Sequence, residues 1–120
     1  MKTTFYLVRH GQPDWDWAEA MRFYGPCSAY MPLTPLGVEQ IEHTACDSQL
    51  RGASFILASP YTRTMQSAQI LSRRLDLPVT VEWDLHEWLY DRDMRGDLPN
   101  PDERFGREDM TRCFYRYMEH

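Results

Sequence analysis

Three short apolar runs alternate with two amphipathic stretches, and that alternation narrows the fold to a parallel α/β sheet with flanking helices. The first run, residues 3–8, is β-branched and aromatic, with Phe5, Tyr6, Leu7 and Val8 nearly continuous. It predicts a strand buried on both faces. Residues 9–33 carry no regular period and are rich in Asp, Trp, Pro and Gly, which predicts a long loop. Thr34-Pro35 then opens a helix, with Thr34 as cap and Pro35 in the first-turn slot where proline is tolerated. Val38, Ile41 and Ala45 mark its buried side. Residues 54–58 form the second apolar run, and Ser59-Pro60 repeats the cap-then-proline signal. Met65, Ala68, Leu71 and Leu75 give the next helix its stripe, Pro78 stops it, and residues 79–83 predict a third strand.

Beyond this unit, residues 84–107 are charged and broken by Gly96, Pro99, Pro101 and Gly106, which predicts a long loop. Met110, Cys113, Phe114, Tyr117 and Met118 then follow the spacing of a helix over residues 108–118. A chain of 120 residues predicts one domain, residues 1–120, with a modest core.

Charge and cysteine usage narrow the partners. Lys and Arg number 13 against 18 Asp and Glu, a net charge of −5, and the arginines are scattered. Neither nucleic acid nor an anionic membrane is an expected partner. The apolar start is cut off by Arg9 and His10, too early for a signal peptide or a membrane span. Cys27, Cys46 and Cys113 are odd in number and match neither a zinc site nor a redox pair. They read as free thiols in a reducing cytoplasm, the expected location. Asp14 and Asp16 lack the further clustered ligands of a hard-metal site and read as solvated, so no metal or other cofactor is expected. Trp15, Trp17, Phe23, Tyr24 and Tyr30 fit a rim over a crevice and packing under a long loop equally well.

The residues with chemical potential stand where strands end. In a parallel α/β sheet the ligand crevice lies at the carboxyl ends of the strands, and Arg9-His10-Gly11 follows the first apolar run. Arg9 supplies an anion clamp, His10 a nucleophile, and Gly11 a backbone that can be closely approached. The triplet alone leaves a functional site and an ordinary basic strand end about even. Residues 59–68 follow the second run into the same crevice and put Arg63 in the first turn of a helix. A cation there opposes the helix dipole unless an anion compensates it, and a guanidinium fork suits phosphate. A solvated surface arginine becomes the weaker reading beside Arg9. Gln12 can hydrogen-bond phosphate oxygens or serve as a plain loop amide. Glu87 lies just past the third run, while His86 reads as a surface residue.

Taken in order, Arg9-His10-Gly11, residues 32–37 (Pro-Leu-Thr-Pro-Leu-Gly), Ser59-Pro60 with Arg63, and Leu85 with Glu87 resemble the histidine phosphatase superfamily. That superfamily includes the cofactor-dependent phosphoglycerate mutases. The resemblance runs from about residue 4 to residue 90 and implies a phosphoglycerate mutase-like fold. It implies His10 as nucleophile, Arg9 and Arg63 as phosphate clamps, and Glu87 as proton donor to the leaving group. The implied reaction is phosphomonoester hydrolysis through a phosphohistidine, with a mutase or a phospho-ligand-binding module as alternatives. Its partner is a small phosphorylated substrate. Each role is also chemically reasonable alone. Imidazole is partly uncharged near neutral pH. Phosphoryl transfer depends mostly on positioning and charge stabilisation, which two arginines provide. A carboxyl facing a phosphate dianion favours its protonated form and can donate.

One feature of the superfamily pattern is missing. A second histidine, after a later strand and followed by glycine, completes the phosphate pocket in the family. Here His43 falls within a predicted helix and His120 is the last residue, so neither has that setting. The expectation is a fold truncated before that strand, a piece of a longer chain or a reduced member that self-associates through uncovered apolar surface, with weak turnover.

Overall fold

The computed structural model describes residues 2–23 and 25–87. A short helix α1 (Trp15–Ala20) and a 3-10 segment (Gly25–Tyr30) precede helix α2 (Pro35–Thr44). A 3-10 turn (Ser48–Leu50), strand β1 (Ile56–Ala58), helix α3 (Thr62–Leu75), strand β2 (Val79–Val81) and a last 3-10 turn (Trp83–Leu85) follow. The two strands run parallel, with Ile56 opposite Val79 and Ala58 opposite Val81. With α3 as the crossover, this is a parallel sheet with flanking helices, the expected fold class.

Local signals explain where the helices begin. The Thr34 hydroxyl accepts the Gly37 N–H at 2.9 Å, so α2 starts where its cap and its Pro35 dictate. Helix α3 starts later than its Ser-Pro signal suggests. Tyr61 is the N-cap and offers no side-chain acceptor, while the Thr64 hydroxyl donates to the carbonyls of Ser59 and Tyr61. Ser59 is therefore not the cap, because the chain bends through Pro60 and Tyr61 before the first turn. The last turn of α3 ends at Asp76 in the left-handed region (φ 55°), and the Leu77 N–H returns to the Ser72 carbonyl.

The core lies between α2, α3 and β1. Ile41, Ala45, Leu50 and Leu71 are buried together, with Ile56, Ile70 and Leu75 packed around them. Val38, expected on the buried side of α2, is 39% exposed. In its place Gly37 faces inward, because the loop at Gly11 and Gln12 approaches α2 too closely for a larger residue.

Three expectations are corrected. Residues 3–8 form no ladder with any described residue, and Phe5 and Leu7 are 72% and 98% exposed. Strand propensity supplies no hydrogen bonds of its own; those come from a neighbouring strand. Residues 9–33 are not uniformly irregular. The Asp14 carboxylate accepts the Trp17 N–H at 2.9 Å and caps α1, so it serves backbone geometry. The loop ends are also tied together: Asp14 N–H donates to Pro32 O and Thr34 N–H to Gln12 O, flanking an isolated bridge between Pro13 and Leu33. Finally, β2 stops at Val81, and Trp83 turns outward into a 3-10 segment.

Among the described residues no helix is long and apolar enough to cross a membrane. Cys27 and Cys46 are exposed free thiols. Tyr24, Cys113, His120, the predicted helix over residues 108–118 and all of the predicted loop after residue 87 lie outside the described residues.

Candidate active site

Arg63 organises the site. It stands in the first turn of α3 as expected, yet it is only 6% exposed, which excludes a solvated surface arginine. A buried guanidinium needs partners for its donors. Its Nε donates to His10 Nε2 at 3.2 Å, Nη1 to the Ser28 carbonyl at 3.3 Å, and Nη2 to Glu87 Oε2 at 2.5 Å. The guanidinium also lies over the Tyr61 ring, 4.8 Å from its centroid. Among the described residues these bonds leave one N–H on each terminal nitrogen for a ligand.

His10 is held in one tautomer by two independent partners. Its Nδ1 lies 2.7 Å from the Gly11 carbonyl, which can only accept, so Nδ1 carries the proton. The Nε2 atom receives the Arg63 Nε–H and therefore presents its lone pair. As the site stands, that lone pair is taken up by the Arg63 Nε–H.

The expected residues are brought together unevenly. His10, Arg63 and Glu87 are linked by direct hydrogen bonds from three separate segments. Glu87 follows β2 and the 3-10 turn at Trp83–Leu85, and the Tyr61 hydroxyl donates to its carbonyl at 3.3 Å. Its carboxylate is largely exposed on the side away from Arg63. Arg9 is adjacent in sequence but exposed, with no hydrogen bond or ion pair to a described residue. His86 is exposed and turns Nδ1 to the Glu87 carbonyl at 2.8 Å. His43 lies in the last turn of α2, exposed.

Gly11 and Gln12 are fixed by their surroundings. The close approach expected at Gly11 is made by the backbone of α2: a Cβ on Gly11 would stand 2.2 Å from the Gly37 carbonyl oxygen. The Gly11 N–H donates to the Ser67 hydroxyl at 3.3 Å. Gln12 donates its N–H to Gln40 Oε1 at 2.8 Å, and its side-chain oxygen accepts the Thr34 hydroxyl at 2.9 Å. Only its amide nitrogen is left to face a ligand. Gln66, on α3, accepts the Leu33 N–H at 2.7 Å and pins the far end of the same loop. Ser67, Gln40, Gln66 and Tyr61 were not foreseen from the sequence. Ser67 and Gln66 did carry a signal, falling one turn after Arg63 on the face of α3 toward the loop.

The loop aromatics divide, with Trp15 and Tyr30 exposed and Trp17 and Phe23 partly buried. Phe23 packs edge-on to Trp17 (5.3 Å between centroids) and to Tyr30 (6.2 Å). Among the described residues no group of His, Cys, Asp and Glu could hold a metal ion.

Residues 5–112 match the histidine phosphatase superfamily, branch 1. The chain belongs to that superfamily. A Proteus mirabilis protein named "Probable phosphoglycerate mutase GpmB" is 34% identical over 82 residues, which are 68% of this chain and 36% of that protein. A Yersinia pestis protein of the same name is 33% identical over the same shares. The matched part thus spans about a third of the length of these curated relatives. Among solved structures, a mycobacterial glucosyl-3-phosphoglycerate phosphatase in complex with VO3 is 27% identical, with a TM-score of 0.51. The likeness covers 73% of this chain and 46% of that one. A second, titled "Mycobacterial hydrolase 1", is also 27% identical with a TM-score of 0.52, over 73% and 45%. The chain therefore has the phosphoglycerate mutase-like fold.

Proposed function

We propose that this chain takes the phosphoryl group of a small phosphomonoester onto His10 Nε2, with Arg63 and Arg9 holding the phosphate and Glu87 supplying a proton. The observation that carries the reading is the contact of Arg63 with both His10 Nε2 and Glu87. An entering phosphate offers oxygens to the Arg63 N–H groups that these two residues now occupy, which releases the Nε2 lone pair and the Glu87 carboxyl together. Arg9 swings from solvent onto the phosphate edge, and the Gln12 amide nitrogen faces the same anion, while the Gly11 N–H stays on Ser67.

In the first step Nε2 bonds to phosphorus as the phosphorus–oxygen bond to the leaving group breaks. Protonated Glu87 donates to the departing oxygen. In the second step water attacks the phosphohistidine, Glu87 takes the proton from the water, and the phosphorus–nitrogen bond breaks to release inorganic phosphate. Charge stabilisation by the two arginines supplies most of the rate enhancement, with no metal in the scheme.

Return of the phosphoryl group to the bound product, a mutase reaction, is the second reading, and the phosphoglycerate mutase names of the relatives favour it. In that case phosphoglycerate is the substrate class. A module that binds phospho-ligands without turnover is the outcome if no turnover is found. Incubation with a chromogenic aryl phosphate, with assay of phosphate release and alkaline trapping of the phosphorylated chain, tests the reading. Phosphate release and a phosphoryl group on His10, both lost in His10→Ala, are expected. Binding of phosphate without either product would leave the binding module.

A further inference from the structure

We infer that Ser67 is a positioning residue that holds the His10-Gly11 turn against α3 and so fixes which imidazole nitrogen of His10 presents its lone pair. The inference deepens the phosphohistidine reading, since it concerns how that nucleophile is kept ready.

Ser67 is buried in the second turn of α3, one turn after Arg63. Its hydroxyl has one hydrogen, which it donates to the Arg63 carbonyl at 2.8 Å. A lone pair of the same oxygen accepts the Gly11 N–H at 3.3 Å. Gly11 is thereby tied to α3 through its N–H, while its carbonyl receives the His10 Nδ1 proton. Arg63 then closes the loop, donating from Nε to His10 Nε2. The result is a hydrogen-bonded cycle that runs from Ser67 through Gly11 and the His10 ring to Arg63 and back to Ser67. On its other side the Gly11 peptide meets the backbone of Gly37, with no room for even a Cβ. The turn is thus clamped between α2 and α3, by contact on one side and by the Ser67 hydroxyl on the other.

Removing that hydroxyl leaves the Gly11 N–H buried without an acceptor, a state proteins avoid by moving the peptide. The peptide in question is the one attached to His10, and its rotation changes the path from the ring to the Gly11 carbonyl. The Nδ1–H bond is then lost, only the Arg63 Nε–H still favours the proton on Nδ1, and the tautomer with the proton on Nε2 gains population.

The test is the nitrogen-15 imidazole spectrum of the full 120-residue chain, at a pH where imidazole is neutral, with His10→Gln assigning the His10 signals. The wild type is expected to show a single tautomer with the proton on Nδ1. Ser67→Ala is expected to move the His10 signals part of the way toward the averaged pattern of exposed His43, and Ser67→Thr, which keeps the hydroxyl, is expected to restore the single tautomer. Ser67→Cys preserves side-chain size with a weak acceptor and decides the matter if Ser67→Ala does not fold. A folded Ser67→Ala or Ser67→Cys chain with the wild-type His10 pattern would overturn the inference and leave Ser67 a packing residue. No step of this measurement needs turnover, so a failed phosphohistidine assay in the wild type stays distinct from a failure here.

Discussion

A buried guanidinium that contacts both an imidazole and a carboxylate sets those two groups in competition with any anion that enters. Arg63 is in that position, and the competition has consequences of opposite sign. Phosphate or vanadate at a hundred times its dissociation constant is expected to add about 2.7 kcal/mol of stability. Arg63→Ala should remove most of that protection in thermal melts with and without the anion, and Arg9→Ala a part of it. Protection that survives both substitutions would put the anion elsewhere. Glu87→Gln removes a charged competitor from Arg63 Nη2. Phosphate should then bind a few-fold more tightly, consistent with about 1 kcal/mol or less for a pair whose acid is largely exposed. The same substitution should slow esters with poor leaving groups far more than activated aryl esters, since only the former need the proton. Calorimetry and a leaving-group series read the two effects separately. Equal slowing of both ester types would count against Glu87 as the proton donor.

At the scale of elements, the site depends on how α2 and α3 grip one loop. Gly37 in α2 touches the backbone of Gly11 and Gln12, and a Cβ there would lie 2.4 Å from the Gln12 carbonyl oxygen. Both sides of that contact are backbone, so neither can yield by a rotamer change. Gly37→Ala is therefore expected to destabilise the chain by about 1–3 kcal/mol and to weaken phosphate binding by displacing the His10 turn. Thr34→Ala removes the cap of α2 together with a hydroxyl bond to Gln12, and should cost about 0.5–2 kcal/mol. Ile41→Ala, at the centre of the core, should cost about 2–5 kcal/mol but leave phosphate affinity in the surviving folded fraction unchanged. Urea denaturation with and without phosphate separates these cases. A Gly37→Ala chain with normal stability would mean that the α2–loop contact is slack.

For the whole molecule, the prominent feature is apolar surface at the strand side. Phe5, Leu7, Phe55 and Leu57 are all exposed, and residues 3–8 have strand-forming side chains with no ladder partner among the described residues. Unpaired backbone beside exposed apolar side chains is a template for association. The 120-residue chain is expected to self-associate in sizing and sedimentation experiments, increasingly with concentration, and Phe5→Glu with Leu7→Glu should shift it toward monomer. A monodisperse monomer at high concentration would contradict this expectation. A cavity of about 450 Å3 between Cys46, Arg51 and Leu77 lies apart from His10. It adjoins the carboxyl-terminal ends of α2 and α3, where the helix dipoles oppose an anion, so its arginines are explained without a ligand.

The sequence by itself determined the features that act over a few residues. Thr34 caps α2 because its hydroxyl needs only the N–H three residues on, and Arg63 falls in the first turn of α3 although that helix starts later than its Ser-Pro signal suggests. The two apolar runs around residues 56–58 and 79–81 became strands because each pairs with the other across one crossover helix. The ordered motifs likewise pointed to the superfamily before any geometry was known. Tertiary structure decided the rest. The Arg63 bonds to His10 and Glu87 span 53 and 24 residues, and the Ser67 bond to Gly11 spans 56. Spacing along a chain carries no information about such partners, since they meet only when α3 packs beside the loop. The same holds for residues 3–8, whose composition matches a strand but whose pairing depends on a neighbour. Local chemistry sets what a segment can become, and the packing of distant segments sets which hydrogen bonds are available to make it so.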